Sequence, residues 1–366
     1  MFKDLNEQQI AAIKEPGNVL LTACPGSGKT RVLAHKVAYE LQFIQDSKKI
    51  IIALTFTNRA ADEIKKRLIR MDIDHYKFWA GTIHSFCLEW ILRPYAGYLN
   101  ELKNGFDIAD EYKSNETLNN LKKDKGLNWW TNISTRINKN GSLEESLYDF
   151  IVHEYHNILS SEKLIDFDQI LYLTYKLLNG FPKIAQTLNN LFHLICIDEY
   201  QDTQELQYCI ISKIINVSKN KTLLFIVGDK DQAIYGSLGG VAKSLEEIIA
   251  EFGNLQIIEK ELFGNYRSNQ RIIDYYRNFQ STDIDIVALA NHANENGIIK
   301  FSNLIINKDE LDIIISNLIK ESIRNGVPEN QICVLAPQWQ LVVPMGRKLK
   351  KLLPDVNFDA DGLSPL

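Results

Sequence analysis

The chain has 366 residues, of which 45% are hydrophobic and 24% charged, with a formal net charge of −5. Such a composition suits two or three globular domains with a sizeable core; it excludes a uniformly basic surface but not a local basic groove. No run approaches the ~20 apolar residues that span a bilayer, and the opening MFKDLNEQQI lacks the apolar stretch of a signal peptide, so no membrane partner is expected. The five cysteines (Cys24, Cys87, Cys196, Cys209 and Cys333) form no CxxC pair, which fits a reduced, cytoplasmic setting.

In chain order, short apolar runs alternate with helical patterns, the signature of a parallel α/β sheet. VLLTA (19–23) leads into a Gly-rich loop, and a helix follows from Lys29. IIALTFT (51–57) is a strand followed by the amphipathic NRAADEIKKRLIR, and WAGTIHSF leads into another helix. From 90 to 189 the strands stop and the text becomes helical, Asn-rich and aromatic, as an insertion would be. LFHLICIDE (191–199) and TLLFIVGD (222–229) are buried strands ending in acids, at the strand ends where open α/β sheets bind ligands. After about 275 a second alternation starts: GIIKFSNLI, a helix over DELDIIISNLIKESI, QICVLAP, a helix ending near KLKKLL, then VNFDADG. The expected organisation is a first core of 1–89 and 190–275, a helical insertion of 90–189, and the first part of a second core in 276–366.

TACPGSGKTR (22–31) has the strand–loop–helix context of a phosphate cradle. Gly26 and Gly28 let backbone N–H groups face an anion at a helix N-terminus, with Lys29 reaching phosphate and Thr30 offering a hydroxyl to Mg²⁺. ICIDEYQDT (195–203) adds two carboxylates at a strand end: Asp198 to hold the metal and Glu199 to polarise water. His153 and His156 in HEYH are read as exposed helical residues, since no partner has metal-ligand spacing.

Seven blocks in order resemble the UvrD/Rep family of superfamily-1 DNA helicases: LNEQQ, TACPGSGKTR, ALTFTNRAADEIKKRL, GTIHSF, IDEYQDT, VGDKDQAIYG and NYRSNQRI. The resemblance implies a P-loop NTPase with a RecA-like parallel sheet, using ATP and Mg²⁺. It explains Ala23, where a phosphate-loop pattern asks for Gly, because that family commonly carries Ala there. By resemblance the nucleotide meets Ala23, Cys24, Pro25, Gly26, Ser27, Gly28, Lys29, Thr30 and Arg31; Gln9 reads the adenine edge and Tyr266 stacks on the base. Gln232 senses the γ-phosphate and Arg267 is an arginine finger, a type of residue worth about 10³–10⁵ in rate.

Hydroxyls and aromatics at the other strand ends suit a phosphodiester backbone and unpaired bases. The resemblance assigns single-stranded DNA contact to Thr55, Phe56, Asn58, Thr82, His84 and Tyr235; the pattern along IIALTFT leaves Phe56 equally open to a core role. The family usually writes an aromatic and an arginine after IYx, whereas Ser237 and Leu238 stand here, so a weaker grip on the strand is expected. In LKKDKGLNWWTNISTRINKN, Trp129 and Trp130 are read as filling a small core, while Lys122, Lys123, Lys125, Arg136 and Lys139 stay open to solvation or nucleic-acid contact.

The implied function is an ATP-dependent DNA helicase or translocase, 3′→5′ on single-stranded DNA or a single-strand/duplex junction, in DNA repair or antiviral defence, with room for a nuclease or other protein partner. A nucleotide-gated DNA-binding or scaffold subunit without unwinding activity is the alternative. Nothing between 276 and 366 resembles the family's late motifs TxHxxKGLE or YVAxTRA. The expectation is therefore a fragment, or a truncated protein dependent on a partner, that binds ATP·Mg²⁺, hydrolyses it slowly and does not separate strands.

Overall fold

The computed structural model describes residues 2–144, 147–218, 222–236, 239–291, 293–301 and 310–357. The chain divides into two compact units, Met1–Ile298 and Ile299–Leu366.

The first unit is organised by six parallel strands: β1 (Asn18–Ala23), β2 (Ile50–Thr55), β3 (Phe78–Thr82), β4 (Phe192–Ile197), β5 (Leu223–Gly228) and β6 (Ile257–Leu262). They lie side by side in the order β3-β2-β4-β5-β1-β6. The apolar runs are continuous because both faces are covered. Leu20, Ile52, Leu54, Ile195 and Ile226 face one core, while their neighbours Leu21, Ile51, Ala53, Cys196 and Val227 face the other. The second face is closed by α1 (Glu7–Lys14), α2 (Lys29–Leu41) and α3 (Asn58–Arg70), which contribute Ala12, Val32 and Ile64. Edge strand β6, with sequence IIEKEL, is half polar and pairs with β1 from Asn18↔Ile257 to Ala23↔Leu262.

Parallel register brings the strand ends level. Thr55 pairs with Thr82, Leu54 with Ile197, and Thr22 with Gly228. The residues that follow these strands therefore share one edge of the sheet, and the order reverses between β1 and its neighbours, where open α/β sheets leave a crevice.

Between β3 and β4 the chain forms α4 (Glu111–Asp124), α5 (Asp149–Ser161), α6 (Phe167–Gly180) and α7 (Pro182–Leu191), and α8 (Glu205–Ile215) follows β4. A separate small core gathers Ala109, Leu121, Ile133, Ile151, Tyr155 and Leu159. Trp129 and Trp130 are not in it: they are 76% and 65% exposed, which corrects the core role expected for them. Their loop leaves α4 through Gly126 at φ +71°, and the buried position nearest to them is taken by Ile133 instead. His153 is exposed as expected, but His156 is half-buried, 3.9 Å from Asp166, where burial pushes its pKa down to about 4.

The second unit contains helices Leu311–Arg324 and Trp339–Leu352, packed through Ile319, Leu349 and Leu353. The apolar run QICVLAP forms no strand: its residues lie outside any ladder, with Val334 40% and Leu335 88% exposed. The described parts of GIIKFSNLI and VNFDADG form no strand either, and their remaining residues lie outside the described ones.

Candidate functional site

The phosphate loop turns between β1 and α2. Gly26 at φ +71° and Gly28 at φ +85° supply the left-handed backbone that the loop needs. Ala23 is a strand residue, fully buried and hydrogen-bonded in register with Leu262, so its methyl group is core and the position makes no demand for glycine. The Ser27 hydroxyl donates to the Cys24 carbonyl at 2.7 Å.

Two side chains from distant segments hold this loop. Gln9 is 2% exposed; its Nε2 donates to the Ser27 carbonyl at 2.9 Å and its Oε1 accepts from Asn6 N–H at 3.0 Å, so both amide ends are engaged by the protein. Asn265 donates through Nδ2 to the Pro25 carbonyl at 2.7 Å and accepts through Oδ1 from the Arg267 and Ser268 N–H groups, each at 2.7 Å. Tyr266 N–H donates to the Gly26 carbonyl at 2.9 Å. The Tyr266 ring is 41% exposed, and its hydroxyl accepts from Asn6 Nδ2 at 2.8 Å.

A cleft of about 360 Å³ opens above the loop, lined by Gly26 to Arg31 together with Arg67, Glu199, Gln232 and Arg267. Of the expected nucleotide residues, Ala23, Cys24, Pro25, Gln9 and Tyr266 do not line it; Cys24 and Pro25 line a separate cavity of about 230 Å³ behind the loop. Arg67 and Asn265 went unnoticed in the sequence. The only signal for Arg67 is its place on the amphipathic α3, beside its ion-pair partner Glu63 at 2.9 Å.

At the end of β4 the two adjacent carboxylates diverge. Asp198 is 4% exposed, and its Oδ1 is buried without a hydrogen-bond partner. Burial, then the Glu199 charge, pushes its pKa up to about 7 against the opposing pull of Lys29. An uncompensated buried carboxylate beside a phosphate loop fits a divalent cation, whose charge would restore ionisation. Glu199 adopts φ 51°, ψ 52°, which sends its side chain into the cleft 3.8 Å from Lys29 Nζ. Gln201 Nε2 donates to Glu199 Oε2 at 2.8 Å, while Gln201 Oε1 accepts from Asp229 N–H at 2.9 Å. Gln232 Nε2 in turn donates to Asp229 Oδ2 at 2.5 Å. A polar chain thus runs from Glu199 to Gln232.

A second cleft of about 410 Å³ adjoins Glu199 and Asp198, and all six residues assigned to the strand line it: Thr55, Phe56, Asn58, Thr82, His84 and Tyr235. Phe56 is 45% exposed and stacked on Tyr235 with centroids 4.6 Å apart, which removes it from the core. The Thr55 hydroxyl donates to the Thr57 carbonyl at 2.9 Å, and the Thr82 hydroxyl caps the following helix by accepting from Ser85 N–H at 3.3 Å. His84 meets Phe167 edge to face at 5.3 Å, and burial pushes its pKa down to about 4. Phe167 went unnoticed in the sequence; its signal is an aromatic at the first helical position, inside the Asp166–Gln169 capping box. Ser237 and Leu238 lie outside the described residues.

The description "UvrD/REP helicase N-terminal domain" matches residues 5–253. The chain is 31% identical over 301 residues to "ATP-dependent DNA helicase UvrD1" of Mycobacterium tuberculosis, covering 75% of this chain and 38% of that protein. It is 27% identical over 359 residues to "ATP-dependent DNA helicase PcrA" of Staphylococcus aureus, covering 92% of this chain and 48% of that protein. The chain therefore spans less than half the length of these relatives. A solved Pif1 structure in complex with ADP-AlF4 aligns at a TM-score of 0.29 and 16% identity over 76% of this chain and 47% of that one, too low to bear on the fold. The family match over more than half the chain, on a parallel sheet that carries a phosphate loop and an Asp-Glu strand end, has one meaning: the chain belongs to the UvrD/REP helicase family.

Proposed function

We propose that this chain is the ATP- and Mg²⁺-using part of a DNA helicase or translocase that moves 3′→5′ on single-stranded DNA. The observation that carries this reading is the position of Glu199, which lines both the phosphate cleft and the neighbouring cleft with its stacked aromatics. In the proposed cycle Lys29 and the loop N–H groups take the phosphates, Thr30 and Asp198 hold Mg²⁺, and the cation supplies charge neutralisation at the phosphates. Glu199 orients and deprotonates the attacking water, Gln232 reports phosphate occupancy through Asp229 and Gln201, and Arg267 stabilises charge at the transferring phosphoryl. With both ends of Gln9 engaged by the protein, we assign it to holding the loop, with adenine contact following only if it exchanges a partner. Residues 1–89 and 190–275 act as the first RecA-like core, 90–189 as the insertion and 276–366 as part of the second core, in a cytoplasmic protein of repair or antiviral defence that works with a nuclease or other partner.

Serine and leucine at 237–238, where the family carries an aromatic and an arginine, favour a second reading: a nucleotide-gated DNA-binding subunit without unwinding activity. Both readings require ATP·Mg²⁺ and single-strand binding. Titration of a fluorescent ATP analogue and of a labelled oligo(dT) tests that shared requirement; failure to bind either ligand overturns both readings. Strand separation by the protein in its cellular assembly supports the first reading, and its absence there supports the second.

A further inference from the structure

The loop after α4 is the most positively charged stretch of the insertion. Residues 121–140 hold five basic side chains and a single acidic one, in a chain whose net charge is −5. In their midst Trp129 and Trp130 project into solvent, 76% and 65% exposed, with their rings 5.7 Å apart at 83°. Exposed tandem indoles cost solvation free energy without a partner, and the surrounding charge selects an anionic one.

The same loop is tied to the mouth of the strand cleft at two points. The Thr135 hydroxyl donates to Asp168 Oδ2 at 2.5 Å, beside the cleft residue Phe167. Arg136 reaches the loop that follows Tyr235: a β-carbon on Gly239 would fall 2.8 Å from Arg136 Nη1. Gly240 N–H in turn donates to the Tyr235 carbonyl at 3.0 Å. Arg136 is 25% exposed and pairs with Glu144 at 3.8 Å. Trp130 is six residues away, at most about 20 Å along an extended chain.

We propose that Trp129, Trp130 and Arg136 form a second single-strand site continuous with the cleft at Phe56 and Tyr235, the indoles stacking on unpaired bases and the guanidinium holding a phosphate. The insertion then supplies the aromatic and basic groups that positions 237 and 238 lack. This rests on the single-strand reading of the cleft, and the experiment separates the two. Labelled oligo(dT) is titrated at several salt concentrations against the wild-type chain, Trp129→Ala/Trp130→Ala, Trp129→Phe/Trp130→Phe, Arg136→Ala and, in the cleft, Phe56→Ala, with melting curves to verify folding. The double alanine variant is expected to bind at least about fivefold more weakly, and the double phenylalanine variant to recover most of the loss. Arg136→Ala is expected to lower the slope of log affinity against log salt by about 0.7. Wild-type affinity in both the indole and Arg136 variants, with Phe56→Ala weakened, overturns this site and leaves the cleft reading standing. Unchanged affinity in all the variants, or no binding by the wild type, overturns both.

Discussion

Glu199, two residues past the buried strand β4, has φ 51° and ψ 52°, a backbone state that costs a residue with a β-carbon on the order of 1–3 kcal/mol. The turn separates two adjacent carboxylates into different environments, one sealed and one open to Lys29. In the proposed site Lys29 neutralises phosphate charge in the bound state, whereas Glu199 acts only on water. Lys29→Ala is therefore expected to abolish productive nucleotide binding, and Glu199→Gln to keep affinity while turnover falls about 10²–10⁴-fold. Equal loss of fluorescent-nucleotide affinity in folded samples of both variants contradicts that division. His84 makes a second residue-level test. Burial lowers its pKa to about 4, so the ring is neutral down to that value and adds no positive charge to the cleft at Phe56 and Tyr235 between pH 8 and 6. Strand affinity of the wild type and His84→Gln is expected to change in parallel over that range. A rise in wild-type affinity with a midpoint near 6.5 that disappears in His84→Gln rules this out. Placement was legible where the motif dictates it, as for Lys29 in the cleft wall and Asp198 at the buried strand end. It was not legible for Trp129 and Trp130, because an indole suits a core and a stacking platform equally and only the loop path decides.

Among the elements, the phosphate loop is held by groups far away in sequence. Asn265 spends its amide on Pro25 and on two backbone N–H groups, so the segment that carries Arg267 is fixed directly to the loop it faces. A β-carbon at Gly26 would lie 2.7 Å from Arg267 Cβ and 2.9 Å from Asn265 Oδ1, at φ +71°. Gly26→Ala is thus expected to spread this clamp, costing at least ~1–2 kcal/mol of stability and weakening nucleotide binding. Melting with and without ATP·Mg²⁺ reads both effects; an unchanged midpoint and an unchanged nucleotide-induced shift contradict the clamp. Strands β1, β2, β4 and β5 were legible as apolar runs because helices cover both of their faces. Strand β6 was missed because an edge strand with one partner tolerates Glu259, Lys260 and Glu261, which break the run. QICVLAP shows the converse: an apolar run without a ladder partner is no strand.

For the whole molecule, parallel topology does what no single motif can. Level strand ends place the phosphate-loop cleft and a second cleft on the same edge of the sheet, sharing Glu199 as a wall. The order of the seven blocks made the family legible, and the separate clefts followed only from the fold, since Phe56 and Tyr235 are 179 positions apart in the chain yet stack at 4.6 Å. If the shared wall couples the clefts, strand binding must alter chemistry at the phosphate. The decisive measurement is phosphate release from ATP·Mg²⁺ by the wild-type chain and Glu199→Gln, with and without saturating oligo(dT). Slow release that oligo(dT) accelerates in the wild type, and that is absent from Glu199→Gln in both conditions, is the expected result. Release that is the same with and without oligo(dT), or that persists at the wild-type rate in Glu199→Gln, contradicts it.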